Sequence, residues 1–261
     1  MLKKIYAFIS GSVIGALGGL IGLGGAEFRL PVLIGLFKFP PLEAVILNKI
    51  MSLIVVISAF IFRAVSIPYS TVFSHWDIII NILAGSIAGA WIGADIAVKL
   101  RVKTFYRVIS FMLIIIACIL FISHNIEYSS FIMNTNKYII IVLGIAAGFI
   151  IGLFAAILGV AGGELIIPVL ILLFGIDIKT AGSLSLAISL PTMITGFIRY
   201  TKDDSFKIVY SHKSFILIMA FGSILGAFLG GLLLGVVSES ILIPLLVIIL
   251  LISSYKIWTH K

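Results

Sequence analysis

The sequence contains little charge and almost no cysteine. Charged residues make up 11% of the 261 residues, whereas a soluble domain has about 25%. The one cysteine, Cys118, excludes an intrachain disulfide, and its isolated place in an apolar segment predicts a small core residue. Hydrolase, zinc-protease and phosphate-loop motifs are missing as well. We therefore predict neither an enzyme nor a nucleotide-driven pump, and no cofactor or metal site.

The sequence is instead rich in apolar residues. They account for 62% of the chain, and the mean hydropathy is +1.31. Apolar runs of about 20 residues, enough to cross a bilayer as a helix, recur along the whole length. We predict an all-α polytopic membrane protein with a single transmembrane domain over 1–261, surrounded by the lipid bilayer. The lysines and arginines that give the net charge of +8 lie in short loops between apolar segments. This placement is typical of charges that orient a membrane protein, rather than of binding to nucleic acid.

The chain is also an internal duplication. Its halves align at a constant shift of 137 positions, which places Gly22 opposite Gly159 and Ser52 opposite Ser189. We place repeat 1 at about 4–123, a polar linker at 124–137 and repeat 2 at about 138–258. The apolar elements fall at about 4–23, 28–38, 43–63, 76–98 and 104–123, and again at about 138–160, 165–175, 179–200, 213–235 and 240–258.

The second element of each repeat has only about 11 residues, which covers roughly half of the hydrocarbon core. We therefore expect two half-helices or re-entrant segments among about 8–10 membrane helices. Basic residues predict cytoplasmic N- and C-termini and cytoplasmic loops that follow the fourth element of repeat 1 but precede that of repeat 2. The repeats should thus have inverted topology, as in many secondary transporters, in a cell membrane of prokaryotic type.

A glycine-rich break with a carboxylate in it stands between the first two elements of each repeat. Glu27 and Glu164 occupy equivalent places, each followed four residues later by a proline. Breaks of this kind are tolerated in a bilayer only within protein or beside water. Two of them in inverted halves should meet near the midplane, where transporter sites lie. The alternative is that the glycines only allow close helix packing.

Free backbone amides at such a break favour an anion, and a carboxylate at this depth is a functional candidate. We therefore expect a small anionic solute as the ligand, with Glu27 and Glu164 as candidate proton carriers or, equally, as structural carboxylates bound to the free amides. Arg29 has no counterpart, since Ile166 takes its place, and Lys49 is unmatched as well. The third elements carry a polar stripe that either completes the ligand shell or bonds to its own helix or across a helix interface. The candidate substrate-binding residues are Gly24, Gly25, Glu27, Arg29, Asn48, Ser52, Gly162, Gly163, Glu164, Ser185 and Ser189.

The fourth elements carry glycine at every fourth position, from Gly85 to Gly93 and from Gly222 to Gly230. Small residues on one helix face allow neighbouring helices to approach closely, so we interpret these glycines as structural. Near the end of the first of these elements, Asp95 stands one turn before Lys99, and this spacing predicts an ion pair between them.

The duplicated break, the proline after it and the Ala-x-x-Leu-Ser pattern of 181–185 resemble the sulfite exporter TauE/SafE family. The resemblance covers both halves. It implies multi-pass transport of sulfur-containing anions such as sulfite or organosulfonates. Ala26 and Ala161 replace glycines of the commonest family triplet, and Glu27 and Arg29 make the first break more polar than in many members.

These observations predict a secondary transporter for a small anion, either a sulfur oxyanion or a carboxylate, driven in one hypothesis by protons. A passive anion channel and a membrane scaffold subunit without transport are the alternatives. Substrate, direction and coupling ion stay open at this stage, and so does assembly into a homo-oligomer.

Overall fold

The computed structural model describes residues 2–99, 137–202 and 206–233 continuously, and individual residues within 104–121 and 244–258. The described ranges contain α-helices and no strands, which confirms the all-α prediction. The helices are α1 (Leu2–Ile21), α2 (Ala26–Gly35), α3 (Pro41–Arg63), α4 (Tyr69–Phe73), α5 (Trp76–Lys99), α6 (Lys137–Leu158), α7 (Gly163–Phe174), α8 (Ile178–Tyr200), α9 (Lys207–Ser211) and α10 (Lys213–Leu233). The linker at 124–136 and most of the fifth element of each repeat lie outside the described residues.

Six of these helices, α1, α3, α5, α6, α8 and α10, are long and apolar enough to cross a membrane. They coincide with the first, third and fourth predicted elements of each repeat. The second elements form α2, with 10 residues, and α7, with 12, and both are shorter than a bilayer requires. The five-residue helices α4 and α9 were not predicted, because each is a single turn between two apolar runs.

The first helix of each half packs against the fourth helix of the other half. A Cβ on Gly15 of α1 would lie 2.2 Å from the carbonyl oxygen of Ser223 on α10, and one on Gly89 of α5 would lie 2.0 Å from that of Phe149 on α6. Backbones this close leave room only for glycine. The glycine faces are therefore helix contacts, as the spacing indicated, but their partners lie across the duplication.

In both pairs the helices run in the same direction. Along α1, the contacts of Gly11, Gly15 and Gly19 advance from Met219 through Ser223 to Ala227. On α5, those of Gly85, Gly89 and Gly93 advance from Ile145 through Phe149 to Leu153. Parallel packing in register, four residues at a time, explains why both repeats place glycine at every fourth position.

The third helices, α3 and α8, cross in opposite directions. Arg63 at the end of α3 donates to the carbonyl of Lys179 at the start of α8, at 2.8 Å. Lys49 near the start of α3 lies over the ring of Tyr200 at the end of α8, 5.9 Å from its centroid. Equivalent helices of the two halves therefore run antiparallel. This relation supports the inverted repeat, whose placement in a bilayer stays a prediction.

The chain turns back after each break. Phe37 and Phe39, which follow α2, line one cavity of about 350 Å³ together with Lys3 and Lys4 at the start of α1. In the second half, a Cβ on Gly144 near the start of α6 would lie 3.0 Å from the ring of Phe174, the last residue of α7. Both short helices thus return to the side from which the preceding long helix began, and a re-entrant arrangement in a bilayer stays a prediction.

Two expectations about single residues are wrong. Asp95 forms its ion pair with Arg199 of α8 rather than with Lys99, because α5 packs against α8 and presents that face to it. Cys118 is exposed rather than part of the core.

Candidate functional site

The two glycine breaks contact each other in the middle of the helix assembly. A Cβ on Gly24 would lie 3.2 Å from that of Ala161, and one on Gly163 would lie 3.2 Å from the carbonyl oxygen of Gly22. The sequence predicted that the breaks meet, and the contact itself is present. Their position relative to a bilayer midplane stays a prediction.

Left-handed backbone conformations create both breaks. Gly22, Gly24 and Gly25 have φ values of 88°, 81° and 66°, and Gly159 and Gly162 have 66° and 80°. Residues with a side chain rarely adopt positive φ values, so these positions favour glycine. Gly25 and Gly162 immediately precede α2 and α7 and have no side chain that could accept a bond from the first amides. Neither N-cap residue therefore provides a side-chain cap for its helix.

Each break is also held by the third helix of the opposite half. Asn48 donates from its side-chain amide to the carbonyl of Gly159, at 3.2 Å, and Ser185 donates to that of Gly22, at 2.8 Å. Asn48 and Ser185 are equivalent residues of the duplication, and so are Gly22 and Gly159. These two members of the polar stripe thus bond the breaks across the interface between the halves, and their role in ligand binding stays a prediction.

Arg29 on α2 provides a buried positive charge beside the breaks. Its side chain is completely buried, and Nη1 donates to the hydroxyl of Ser52 on α3, at 2.8 Å. The Ser52 hydroxyl in turn lies 3.5 Å from Oδ1 of Asn48. Arg29, Ser52 and Asn48 thus form one polar line that leads from α2 to the carbonyl of Gly159 in the second break.

The second half provides no matching charge. Ile166 takes the place of Arg29, and the hydroxyl of Ser189, equivalent to that of Ser52, is buried without a hydrogen-bond partner in the described part of the chain. A buried hydroxyl with no partner costs roughly 1–3 kcal/mol. Ser189 is therefore available to a ligand, whereas Ser52 is already engaged by Arg29.

The remaining candidates are the two glutamates and the glycines. Glu27 and Glu164 are each the second residue of a short helix, and their side chains lie outside the described part. Gly24 and Gly163 take part in the contact between the breaks, whereas Gly25 and Gly162 face their own first helix, against Ile14 and Ile151. The structure thus brings together most, but not all, of the predicted set.

Sequence reasoning missed a second pair of anchors, at the ends of the third helices. Arg63 is 1% exposed and donates to the carbonyls of Gly19 and Leu20, while Tyr200 donates to that of Ala156. Arg63 and Tyr200 are 137 positions apart. The equivalent positions of these two long polar side chains in the repeats could have indicated a paired structural role. Arg63 was instead interpreted as a basic residue at the edge of a loop.

Comparison with known proteins decides the family. A model of the family described as Sulfite exporter TauE/SafE matches residues 6–257. The chain belongs to this family. The match spans both repeats and confirms the resemblance drawn from the breaks. Together with the six long apolar helices, it makes the chain a multi-pass membrane protein of the TauE/SafE family.

One curated relative is the protein of Bacillus subtilis (strain 168) named "Probable membrane transporter protein YunE", with 29% identity over 106 residues. The match covers 41% of this TauE/SafE chain and 37% of the relative. No solved structure matches the chain.

Proposed function

We propose that this chain is a secondary transporter of a small anion, with sulfite or an organosulfonate as the first candidates and a carboxylate as the alternative. The observation that carries the proposal is Arg29, which is completely buried at the contacting breaks, where two helix N-termini begin at glycine N-caps. Helix N-termini and a guanidinium both favour an oxyanion. The family description and the printed name of the Bacillus subtilis relative support transport as the activity.

The geometry also supports a carrier rather than a permanent pore. Each half clamps the break of the other half through Asn48 and Ser185, and Arg63 joins α3 to α8. Movement of one half against the other changes these contacts, and the ligand between the breaks then faces the opposite side. Alternating access of this kind is usual for transporters with inverted repeats.

The distribution of charge supports a cytoplasmic N-terminus. In the continuously described ranges, seven exposed lysines lie at the end where α1 begins and α5 and α8 end, while the opposite end has two, Lys137 and Lys179. The seven are Lys3, Lys4, Lys38, Lys99, Lys202, Lys207 and Lys213. A lysine-rich end faces the cytoplasm in most membrane proteins.

Flux of radiolabelled sulfite, methanesulfonate and acetate into proteoliposomes tests the proposal. Arg29→Gln is expected to reduce flux of the preferred anion at least tenfold, with Arg29→Lys between it and the wild type. Lys3→Gln removes an exposed positive charge and should leave flux unchanged. Saturable counterflow is expected for a carrier. Large unitary currents would point to a channel, and no flux of any of the three anions would contradict the proposal.

Proton coupling rests on Glu27 and Glu164, and the double variant Glu27→Gln, Glu164→Gln examines it. Neutral amides cannot exchange a proton, so the double variant should lose both the stimulation by a proton gradient and the pH dependence of flux. If it transports with an unchanged pH profile, neither glutamate carries the proton, and both are structural.

A further inference from the structure

Lys49 is a buried cation that has no role in the contacts between the two breaks described above. It is 1% exposed on α3, inside a helix long and apolar enough to span a membrane. In the described part of the chain it makes no ion pair or hydrogen bond, and its one recorded polar contact is the face of Tyr200, 5.9 Å from Nζ to the ring centroid. An ionisable side chain at such a place is costly, and it is a functional candidate by default.

The two halves of the duplication differ at this place. In the other half, the equivalent of Lys49 is Leu186 and the equivalent of Gly196 is Ala59, and both belong to one buried apolar cluster. On the Lys49 side, a Cβ on residue 196 would lie only 2.7 Å from Nζ. A leucine–alanine pair therefore packs one side of the pseudo-symmetric assembly, and a lysine–glycine pair occupies the other.

Lys49 also lies on the same helix turn as the polar line from Arg29. Ser52, which accepts the bond from Arg29, is three residues further along α3, and residues at this spacing are neighbours on a helix surface. Asn48, next to Lys49 in sequence, binds the carbonyl of Gly159. Two buried cations are therefore associated with neighbouring positions of α3. Lys49 belongs to this helix, and Arg29 of α2 bonds Ser52, about one turn further along it.

We propose that Lys49 is a second anion-binding residue on the transport pathway, between the contacting breaks and the lysine-rich end of the molecule. The inference rests on the proposed function and deepens it. Arg29 binds the anion at the breaks, and Lys49 receives it beside Tyr200 and Gly196. An ammonium suits this role because it holds an oxyanion as a point charge without the bidentate geometry of a guanidinium, so the anion is released more readily.

The test copies the packing of the other half. The double variant Lys49→Leu, Gly196→Ala reproduces the Leu186–Ala59 pair, so it should fold and melt at or above the wild-type temperature in detergent. Sulfite flux in proteoliposomes is expected to fall at least tenfold. Lys49→Arg, which keeps a positive charge, should retain a measurable part of the flux, and Leu186→Met, at the equivalent place, should not alter it.

The outcomes separate this inference from the function on which it rests. If the double variant transports with a rate and KM within twofold of the wild type while Arg29→Gln is inactive, Lys49 has no part in binding and the proposed function stands. If the double variant does not fold, a comparison of Lys49→Arg with Lys49→Met decides. Lys49→Met is expected to be nearly inactive. If the flux of Lys49→Arg is no higher than that of Lys49→Met, the positive charge at this position has no role. A wild type without anion flux overturns both proposals.

Discussion

Asn48 donates from its side-chain amide to the carbonyl oxygen of Gly159, at 3.2 Å, although the two residues belong to different halves of the chain. Ser185 makes the equivalent bond to Gly22. Each bond satisfies a carbonyl that a left-handed glycine has turned out of its helix. Each half thus supplies a hydrogen-bond donor to the break of the other half, and the halves are linked at the place where the ligand is proposed to bind.

Removal of one donor should destabilise the protein measurably. Asn48→Ala leaves the buried carbonyl of Gly159 without its partner, which costs about 1–3 kcal/mol. We expect a lower melting temperature in detergent and faster amide exchange over 156–163. Ser58→Ala on the same helix is the control, because among the described residues Ser58 bonds only the carbonyl of Ile54 in its own helix. Equal effects of the two variants would show that the cross-half bond adds nothing.

The glycine faces offer a test of helix pairing. A Cβ on Gly89 would meet the carbonyl oxygen of Phe149 at 2.0 Å, whereas no described residue outside the local helix backbone lies within 4 Å of one on Gly35. Gly89→Ala is therefore expected to separate α5 from α6 and to cost about 1–3 kcal/mol as an overpacked contact. Gly35→Ala should be neutral or stabilise by up to about 1 kcal/mol. Thermal unfolding of both variants in one detergent makes the comparison, and a tolerated alanine at position 89 would contradict the close approach.

A missing hydroxyl in one half suggests a stabilising substitution. Ser86 shares a 2.7 Å hydrogen bond with Thr192, but Ser223, the equivalent of Ser86, is buried without a partner among the described residues. Val55 stands where Thr192 stands in the other half. Val55→Thr should provide the partner and stabilise the protein by about 0.6 kcal/mol, the mean for such bonds between membrane helices. The same substitution with Ser223→Ala should lose that gain.

The pH dependence of stability should include a contribution from Asp177, which begins α8. Burial alone would raise the pKa of this carboxyl, but the amides of Thr180 and Lys179 bond it at 3.0 and 3.1 Å, and the pKa lies below its usual value. A lowered pKa means that the charged form is favoured by folding. The contribution is therefore complete at neutral pH and is lost as the pH falls below about 4.

Asp177→Ala is accordingly expected to cost about 1 kcal/mol at pH 7 as a lost helix cap. The difference from the wild type should shrink as the pH falls from 5 towards 3 in a denaturation series. Asp177→Asn retains a capping oxygen without the titration and serves as the control. A difference that stays constant over this range would show that the charge of Asp177 does not contribute.

The sequence predicted the helices and the breaks well, because glycine, proline and apolar runs act locally. The equivalence of Glu27 with Glu164 and of Ser52 with Ser189 followed from the register alone. The residues that each position contacts could not be derived from the sequence. Nothing in the glycine spacing says that Gly15 meets Ser223, and helix-turn spacing placed Asp95 with Lys99 although tertiary packing brings it to Arg199. Arg63 escaped attention because a basic residue at a helix margin is usually an orientation signal.

The packing of the first helix of each half against the fourth helix of the other half has a consequence for biosynthesis. Gly15 and its contact residue Ser223 are separated by about 200 residues, which a ribosome adds in roughly 10–40 s. During that time α1 has entered the membrane while its glycine face has only lipid to contact. Neither half can complete its packing while the other is unmade, so we expect the nascent chain to depend on the insertion machinery until α10 arrives.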